Sequence, residues 1–317
     1  MTLLTTFGIT PASQGKMLAP CEFALSDLTM VVPVKNNQRG VSRLLDACLE
    51  TFPSECCLAE IMVVDNLSHQ PVEIPAHLAS SLPVRVLVCE QPGAAAARNF
   101  GARQARTRWI LFLDSDCLPT PGLINGYQQA LNGAIAYAGM VQAEQRDPVS
   151  QYYDTQRILN PPPLWDDGEE RPAYLITANA LVWREALVQV GGFDEQFPSA
   201  GGEDIDLGLR LWSLGPLAYA PDAQTLHTFE PYLPAFIRRF VRYGRGNRLL
   251  ATRYQADLSP HWFVPRHRSP INWFLAGVQF LSLWWGYHAA KPAGDWSLPS
   301  SSPPWSTMSA SDPSDTL

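Results

Sequence analysis

Two aspartates stand one residue apart where a strongly apolar run ends. In the stretch WILFLDSD, the run WILFL is followed by Asp114 and Asp116. Two adjacent carboxylates repel each other unless a cation lies between them, and Mg²⁺ or Mn²⁺ binds such oxygens while completing its shell with water and substrate phosphates. The pair therefore indicates a divalent-cation clamp for a diphosphate. The alternative is a solvated turn in which Asp114 caps the next element.

A second acidic group follows a pair of glycines. The stretch GGEDIDLGLRLW places Glu203, Asp204 and Asp206 before a helical pattern in which Leu207 and Leu211 repeat at four residues. Capping and the helix dipole favour acids at a helix start, which accounts for them without a catalytic role. A carboxylate can also act as a general base if its pKa suits proton transfer. Helix-end donors lower that pKa, whereas a dry pocket and a neighbouring carboxylate raise it, and the sequence leaves the balance between these effects open.

The elements that must position these acids are alternating strands and helices. Short continuous apolar runs predict strands buried on both faces, and four occur in order: LTMVVPV, EIMVVDN, VRVLVCE and WILFLDSD. The stretches SRLLDACLETF and AAAARNFGARQAR are predicted helices. This order predicts an α/β fold with a Rossmann-like, mostly parallel sheet flanked by helices. Ligands of such sheets bind at the carboxyl ends of strands, where Asp65, Glu90, Asp114 and Asp116 fall.

The composition narrows the class of protein. The chain has 317 residues, of which 46% are apolar and 17% charged, enough for a sizeable core. Its net charge of −7 argues against a nucleic-acid partner. The six cysteines form no C-x-x-C pair, which argues against a zinc site. The N-terminal stretch has no basic segment followed by an apolar one, so we expect no secretory signal, reduced thiols and a cytoplasmic location.

The chain divides into four predicted regions. These are an irregular leader at 1–26, the α/β domain at 27–230, an arginine-rich and apolar helical extension at 231–290, and a disordered Ser- and Pro-rich tail at 291–317. In the extension, arginines recur with helical spacing on one stripe: Arg238, Arg242, Arg245 and Arg248. A solvated face and a contact with anionic lipid headgroups are the interpretations that the residues leave open, and a third, neutralisation of a product diphosphate, is implied only by the family resemblance given below. Gly244 and Gly246 weaken the prediction of a rigid helix there.

The stretch INWFLAGVQFLSLWWGYHAA, at 271–290, carries no charged side chain apart from His288. A helix of about 20 residues matches the thickness of a bilayer core, and tryptophans near both ends resemble an aromatic belt. Asn272, Gln279 and two glycines dilute the apolar run, and a helix buried against the domain would look similar. We expect peripheral attachment on the cytoplasmic face of a membrane in preference to a span.

Several segments, taken in order, resemble the family 2 glycosyltransferases of the GT-A fold. They are VVPVKNN, EIMVVDNLS, EQPGAAAARNFGARQARTRWILFLDSD, VGGFDEQFPSAGGEDIDLGLRLW and TLHTF. The resemblance implies a metal-dependent, inverting hexosyltransferase that uses a nucleotide-diphosphate sugar, with a UDP-sugar favoured and Mg²⁺ or Mn²⁺ as cofactor. It also implies a carbohydrate or lipid-linked acceptor, as in the synthesis of cell-envelope polysaccharides.

The resemblance assigns roles to individual residues. Asp204 would be the catalytic base, and Asp116 and His227 would bind the metal ion. The donor would contact Pro33, Asp65, Arg98, Asp114 and Asp116. Candidates for acceptor binding or support are Glu203, Asn179, Trp183 and Arg245. Lys35 replaces the aromatic residue usual before the first-strand asparagine, which puts the packing around the base in doubt.

Two other functions compete with this one. A haloacid dehalogenase-type phosphatase also has an apolar strand followed by D-x-D, but here the motif lies on the fourth predicted strand, and Leu118 replaces the expected Thr or Val. A catalytically inactive nucleotide-sugar-binding homologue is the other alternative. The joint presence of Asp114, Asp116, Asp204 and His227 argues against it.

Overall fold

The computed structural model describes residues 7, 16–52, 58–166 and 168–290. The predicted tail at 291–317 and most of the predicted leader at 1–26 lie outside the described residues, so both remain predictions.

The described part of the chain contains ten strands. They are β1 Leu28–Val34, β2 Glu60–Asp65, β3 Val84–Val88, β4 Trp109–Leu113, β5 Cys117–Pro119, β6 Ala136–Ala143, β7 Pro163–Asp166, β8 Glu169–Pro172, β9 Asn179–Trp183 and β10 Leu217–His227. Eight of them form one sheet in the order β3-β2-β1-β4-β9-β6-β10-β5, and β7 pairs with β8 separately. Within the large sheet β9 and β5 run antiparallel to their neighbours, and the remaining pairs are parallel. The predicted mostly parallel sheet is therefore confirmed.

Helices cover this sheet and extend it. They are α1 Gln38–Thr51, α2 Ala76–Ser81, α3 Ala94–Gln104, α4 Leu123–Ala130, α5 Pro148–Gln156, α6 Arg184–Gln189, α7 Glu203–Trp212, α8 Leu233–Tyr254 and α9 Pro270–Ala289. Several start at a side-chain cap, which satisfies backbone N–H groups that have no partner within the helix. Asn37 accepts from Gly40 N ahead of α1, and Ser269 accepts from Asn272 N ahead of α9.

Two apolar clusters hold the described fold together. The larger surrounds the central strands, where Met30, Val31 and Leu111 are fully buried. The smaller lies under the end of β10, where Tyr153 stacks on Phe229 with a centroid separation of 4.1 Å. Residues of α8 and α9 belong to this second cluster, so the helical extension packs directly against the α/β domain.

Helix α8 continues unbroken through Gly244 and Gly246, against the expectation that these glycines weaken it. A Cβ atom on Gly246 would lie 2.0 Å from the Gly201 carbonyl oxygen, and one on Gly244 would lie 2.2 Å from the Leu283 carbonyl oxygen. The glycines are therefore required by close backbone approach, which only a residue without a side chain allows. They bring α8 against both α9 and the loop that precedes α7.

None of the described helices is both long and apolar enough to cross a membrane.

Candidate active site

The two aspartates after β4 lie at the carboxyl end of a central strand. Both side chains are about one third exposed, 32% for Asp114 and 33% for Asp116. The chain turns there, because Cys117 N donates to the Asp114 carbonyl oxygen, and it then pairs β5 with the end of β10. The antiparallel register sets Cys117 opposite His227. The sheet thus brings together residues that are more than a hundred positions apart in the sequence.

His227 faces Asp116 in a buried position. Its Nε2 atom lies 3.3 Å from Asp116 Oδ2, and its ring stacks on Phe229 with a centroid separation of 4.1 Å. The Nδ1 atom is buried and has no hydrogen-bond partner among the described residues. Burial, assisted by the positive charge of Arg239, lowers the pKa of His227 to about 3. The imidazole is therefore neutral near pH 7 and has a lone pair available for a metal ion.

Asp116 and His227 fit a divalent cation. The candidate ligand atoms of Asp116, Cys117 and His227 all lie within 4.8 Å of one another. A carboxylate oxygen and a neutral imidazole nitrogen suit Mn²⁺, and the carboxylate also suits Mg²⁺. Burial and the nearby aspartates raise the pKa of the Cys117 thiol well above its usual value, so the thiol keeps its proton. We therefore assign the fit to the carboxylate and imidazole alone.

Arg98 connects the two acidic groups that the sequence placed far apart. It is 3% exposed, and its two terminal nitrogens lie 2.7 Å from Asp114 Oδ1 and 2.9 Å from Glu203 Oε1. Although burial alone would lower the pKa of Arg98, the charges of Asp114, Glu203 and Asp204 raise it. This charge-assisted bridge fixes the start of α7 against the end of β4.

Asp204 is the acid of the second group whose carboxylate has no arginine partner in the described structure. Its Oδ1 atom accepts a hydrogen bond from Ile205 N, and the side chain lines a cavity of about 280 Å³. Burial and the neighbouring carboxylate of Glu203 raise the pKa of Asp204 to about 7, against the opposing charge of Arg98. The surroundings of Asp204 therefore favour a raised pKa. Such a group can accept a proton near neutral pH.

Three cavities meet at Asp116. The cavity of about 280 Å³ also contains Asp204, a second of about 490 Å³ extends past Pro33 and Gly93, and a third of about 910 Å³ extends past Arg43. Asp114 and Arg98 line both the first and the second cavity. The predicted metal site therefore lies between the first cavity, which contains Asp204, and the second cavity, which extends to the start of α3.

Among the predicted donor residues, Asp65 lies apart from these cavities. Pro33, Arg98, Asp114 and Asp116 line the second cavity, but Asp65 does not. Its carboxylate is buried and accepts hydrogen bonds from Ser68 N and Val72 N, which holds the loop after β2. Its neighbour Asn66 lines the cavity instead. The donor-binding role of Asp65 remains a prediction without support from this geometry.

The predicted acceptor or support residues also divide into those that line a cavity of the site and those that do not. Glu203 lines the first cavity, whereas Asn179 is fully buried and binds the Tyr127 hydroxyl and the carbonyl oxygens of Met140 and Ala223. Trp183 pairs with Trp109 at the opposite end of β4, because β9 runs antiparallel to that strand. Trp183 therefore lies at the end of β4 away from the aspartate pair, and its role as an acceptor or support residue remains a prediction without support from this geometry.

The arginines of α8 do not form one solvent-facing stripe. Arg245 is exposed and lines none of the three cavities, whereas Arg242 lines the first and the second. Arg248 lies over the Tyr287 ring, 5.2 Å from its centroid. The predicted acceptor or support role of Arg245 therefore remains a prediction without support from this geometry, and Arg242, three residues earlier, lines the cavities instead.

Sequence reasoning missed Arg239. It lines the first and third cavities and lies over the rings of Phe229 and Tyr153, at 5.2 and 5.5 Å from their centroids. Although burial alone would lower the pKa of Arg239, the nearby Tyr243, Tyr153 and Asp116 raise it. The sequence contained a signal for the burial of Arg239, because this residue immediately precedes an apolar position of the predicted helix. A charge beside the buried face of a helix usually needs a partner inside the protein.

A model of one protein family, described as glycosyl transferase family 2, matches residues 29–191, just over half of the 317 residues. The chain belongs to glycosyl transferase family 2. The match contains β1 to β4 and the aspartate pair after β4, and the family assignment excludes the phosphatase alternative.

Known members of comparable sequence include a pre-mycofactocin glycosyltransferase of Mycobacterium tuberculosis. It is 31% identical over 248 residues, which cover 74% of this chain and 49% of the relative. The chain thus spans about half the length of this relative. Glycosyltransferase AglE of Haloferax volcanii is 25% identical, with 69% of this chain and 72% of the relative covered.

Solved structures show the same GT-A fold. Residues 1–349 of Staphylococcus aureus TarS match with a TM-score of 0.53 at 19% identity, over 73% of this chain and 66% of that one. The mannosyltransferase PcManGT of Pyrobaculum calidifontis, solved with GDP-Man and Mn²⁺, matches with a TM-score of 0.51 at 19% identity, over 92% of this chain and 82% of that one. The predicted fold class is therefore confirmed.

Proposed function

We propose that this protein is a metal-dependent, inverting glycosyltransferase that moves a sugar from a nucleotide diphosphate to an acceptor hydroxyl. The observation that carries the proposal is one shared cavity. Asp204, whose pKa is raised to about 7, lines the same space as Asp116 and His227. A base and a cation site on one cavity are what a single displacement on a nucleotide sugar requires.

The donor would occupy the cavity of about 490 Å³. Pro33 and Asn66 line one part of it, and Asp114, Asp116 and Arg242 line another. This arrangement offers a less charged region for a base or ribose and a charged region for a diphosphate. TarS has been solved with UDP-GlcNAc, and PcManGT with GDP-Man, which supports a nucleotide sugar in this fold. We retain a UDP-sugar as the expected donor.

Asp116 and His227 would hold the cation, Mg²⁺ or Mn²⁺. The supporting observations are the position of Nε2 of the neutral His227, 3.3 Å from Asp116 Oδ2, and the grouping of the candidate ligand atoms within 4.8 Å of one another. When bound, such an ion stabilises the negative charge that develops on a diphosphate leaving group. PcManGT was crystallised with Mn²⁺, in agreement with this assignment. Burial raises the pKa of the Asp116 carboxyl, and the positive charges of Arg239 and Arg242 beside it oppose the rise.

Asp204 would remove the proton from the acceptor hydroxyl. Glu203 is unsuited to that task, because its carboxylate is engaged by Arg98 and by Gly201 N. Asp206 is unsuited because it is fully buried and bound to Arg210 and to the Tyr254 hydroxyl. Attack on the anomeric carbon without a protein nucleophile then inverts the configuration.

The acceptor would enter the cavity of about 280 Å³. Its walls combine apolar side chains such as Ile158 and Ile176 with the polar groups of Asn247 and Gln279. Such a lining suits a carbohydrate or a lipid-linked carbohydrate, as in the assembly of cell-envelope polysaccharides. We place the reaction in the cytoplasm, at the surface of a membrane.

The test is a thermal-shift panel of UDP-, GDP-, CMP- and dTDP-sugars, each with and without Mn²⁺. We expect one donor to raise the melting temperature in a Mn²⁺-dependent manner, by mass action on the native state. Slow hydrolysis of that donor, followed by NMR of the anomeric proton, should release the inverted sugar. A metal-dependent shift without turnover in the presence of any acceptor would favour the inactive homologue. The absence of any shift would contradict the proposal.

A further inference from the structure

Helix α9 has the reverse of the usual distribution of polar and apolar side chains. Its buried residues include Asn272, Gln279 and Ser282, at 6%, 8% and 6% exposure. Gln279 Oε1 accepts a hydrogen bond of 2.6 Å from the Tyr152 hydroxyl, and Asn272 donates to the His267 carbonyl oxygen. Polar groups on the buried face of a surface helix need such partners, and here they have them.

The outward face of α9 is apolar. Its large exposed side chains are Ile271, Trp273, Phe274, Leu281, Trp284 and Trp285, with exposures from 38% to 63%. At roughly 100° per residue these positions fall within an arc of about 160°, and the buried residues fall within the opposite arc. No acidic or basic side chain other than His288 lies on the outward arc. A helix on the surface of a water-soluble protein normally exposes its polar side and buries its apolar side.

The segment before α9 enlarges this face. The Trp262 ring lies 6.3 Å from Trp273 and 5.6 Å from Phe280, between centroids, and is itself 56% exposed. Val264 beside it is 53% exposed. We call the outward arc of α9 together with Trp262 and Val264 the apolar face. Contiguous exposed apolar surface of this kind marks a site of interaction, unlike scattered single residues.

The segment that carries the apolar face has charged side chains of one sign only. Between 258 and 290 the chain carries no aspartate or glutamate, although its net charge is −7. Arg266 and Arg268 are exposed in the segment that leads into α9. Tryptophans beside arginines match the boundary between hydrocarbon and anionic headgroups of a lipid bilayer.

We propose that the apolar face docks on the surface of an anionic lipid bilayer, with α9 lying in the plane of the interface. Interfacial helices bind in this way through an apolar face and nearby basic residues. The inner face of the same helix contributes Gln279 and Leu283 to the cavity that contains Asp204. Docking would therefore set this cavity beside the membrane. The consequence that the acceptor is membrane-borne rests on the proposed function, whereas the docking does not.

The test is co-sedimentation of the full chain with vesicles of phosphatidylcholine alone and of phosphatidylcholine and phosphatidylglycerol in equal amounts. We expect binding to the anionic vesicles and weaker binding to the neutral ones. The triple variant Leu281→Gln, Trp284→Gln, Trp285→Gln should lower the partition coefficient about a hundredfold or more. The double variant Arg266→Gln, Arg268→Gln should lower it about tenfold or more on anionic vesicles only.

A matched control carries Leu49→Gln, Val88→Gln and Trp165→Gln, three exposed apolar residues outside the apolar face, and should bind like the wild type. Circular dichroism shows whether each variant is folded. Wild-type protein that does not bind the anionic vesicles, or a triple variant that binds as well as the control, would overturn the proposal. So would a dimer in solution that the triple variant converts to a monomer, because the face would then join two copies.

The Mn²⁺-dependent thermal shift with the donor separates this inference from the proposed function. A triple variant that keeps the shift and loses vesicle binding places the defect on the apolar face alone. A wild type that binds vesicles and shows no donor shift would contradict the proposed function and leave the docking intact.

Discussion

The protein contains two D-x-D sequences near one site, and they behave differently. Asp114 and Asp116 follow a strand, and both line the cavities around the predicted metal site. Asp204 and Asp206 lie in the first turn of α7, where positions two apart differ by roughly 200° around the helix axis. Asp204 therefore faces the cavity, whereas the fully buried Asp206 points away from it and pairs with Arg210 and Arg253.

The difference shows that the backbone and the nearby cations decide what a carboxylate does. Asp114 is bound by Arg98, Asp116 faces His227, and Asp206 has two arginine partners. Asp204 has no such ion pair in the described structure, and burial raises its pKa. Four aspartates with the same local spacing thus include one anchor of the structure, one candidate base and two candidates for the donor and metal site.

The largest effect should come from the strand-end pair. Asp116→Ala removes the carboxylate at which all three cavities meet, and we expect transfer to fall about 10⁴-fold, because a divalent cation contributes several kcal/mol to the transition state. The Mn²⁺-dependent part of the thermal shift with the donor should also vanish. A variant that retains this shift would show that the cation is bound elsewhere.

The helix-start group should respond differently. Asp204→Asn removes proton abstraction but keeps the size of the side chain, so turnover should fall about 10²- to 10⁴-fold while the donor still binds. Single-turnover rates and calorimetric titration of the donor measure the two properties separately. Full activity, or complete loss of donor binding, would contradict the role of base.

The other aspartate of the same turn should affect stability. Asp206→Asn removes the fully buried carboxylate that faces Arg210 and Arg253, of which Arg253 keeps Asp194 as a partner, and we expect a loss of about 1 to 3 kcal/mol in the free energy of unfolding. Urea denaturation of this variant and of the control Asp222→Asn, an exposed position, provides the comparison. Equal midpoints would mean that the buried cluster is not an anchor.

The pH dependence should report the raised pKa of Asp204. Since its pKa is about 7, activity should rise about tenfold per pH unit below 7 and level off above it. The folded-state pKa exceeds the usual value of 3.8, so this carboxyl stabilises the fold below about pH 4 and loses that contribution as the pH rises through 7. The stability of Asp204→Asn relative to that of the wild type should therefore be up to about 4 kcal/mol greater at pH 8 than at pH 4.

Turnover of the Asp204→Asn variant that still rises through pH 7 would assign the titration to another group.

The smallest effect concerns two arginines of α8 that lie three residues apart. Arg242→Gln should raise the apparent Kd of the donor about tenfold, because Arg242 lines the two cavities that meet at Asp116. Arg245→Gln should change it less than about twofold, because Arg245 is exposed and outside them. Isothermal titration of both variants measures the difference. The reverse order would restore the choice of Arg245 made from the sequence.

Much of the fold and part of the site could be predicted because their signals are local. Apolar runs of five to seven residues identify strands without knowledge of their partners, and the carboxyl ends of such strands define where a site forms. Asp114, Asp116 and Asp204 were found in this way, together with the family resemblance. His227 was found from the resemblance alone.

The remaining features depend on which face of an element meets another, and that is a property of the assembled structure. Because β9 pairs antiparallel with β4, Trp183 lies at the end of β4 away from the site. The carboxylate of Asp65 accepts hydrogen bonds from backbone N–H groups of the loop after β2. The apolar residues of α9 are compatible with a helix that buries them and with a helix that exposes them, so the composition of α9 does not decide between the two. Because Gly286 and Gly244 let α8 and α9 approach closely, the polar side of α9 is buried and its tryptophans are exposed. Local composition determined that α9 is a helix, and tertiary packing alone decided which of its faces meets the solvent.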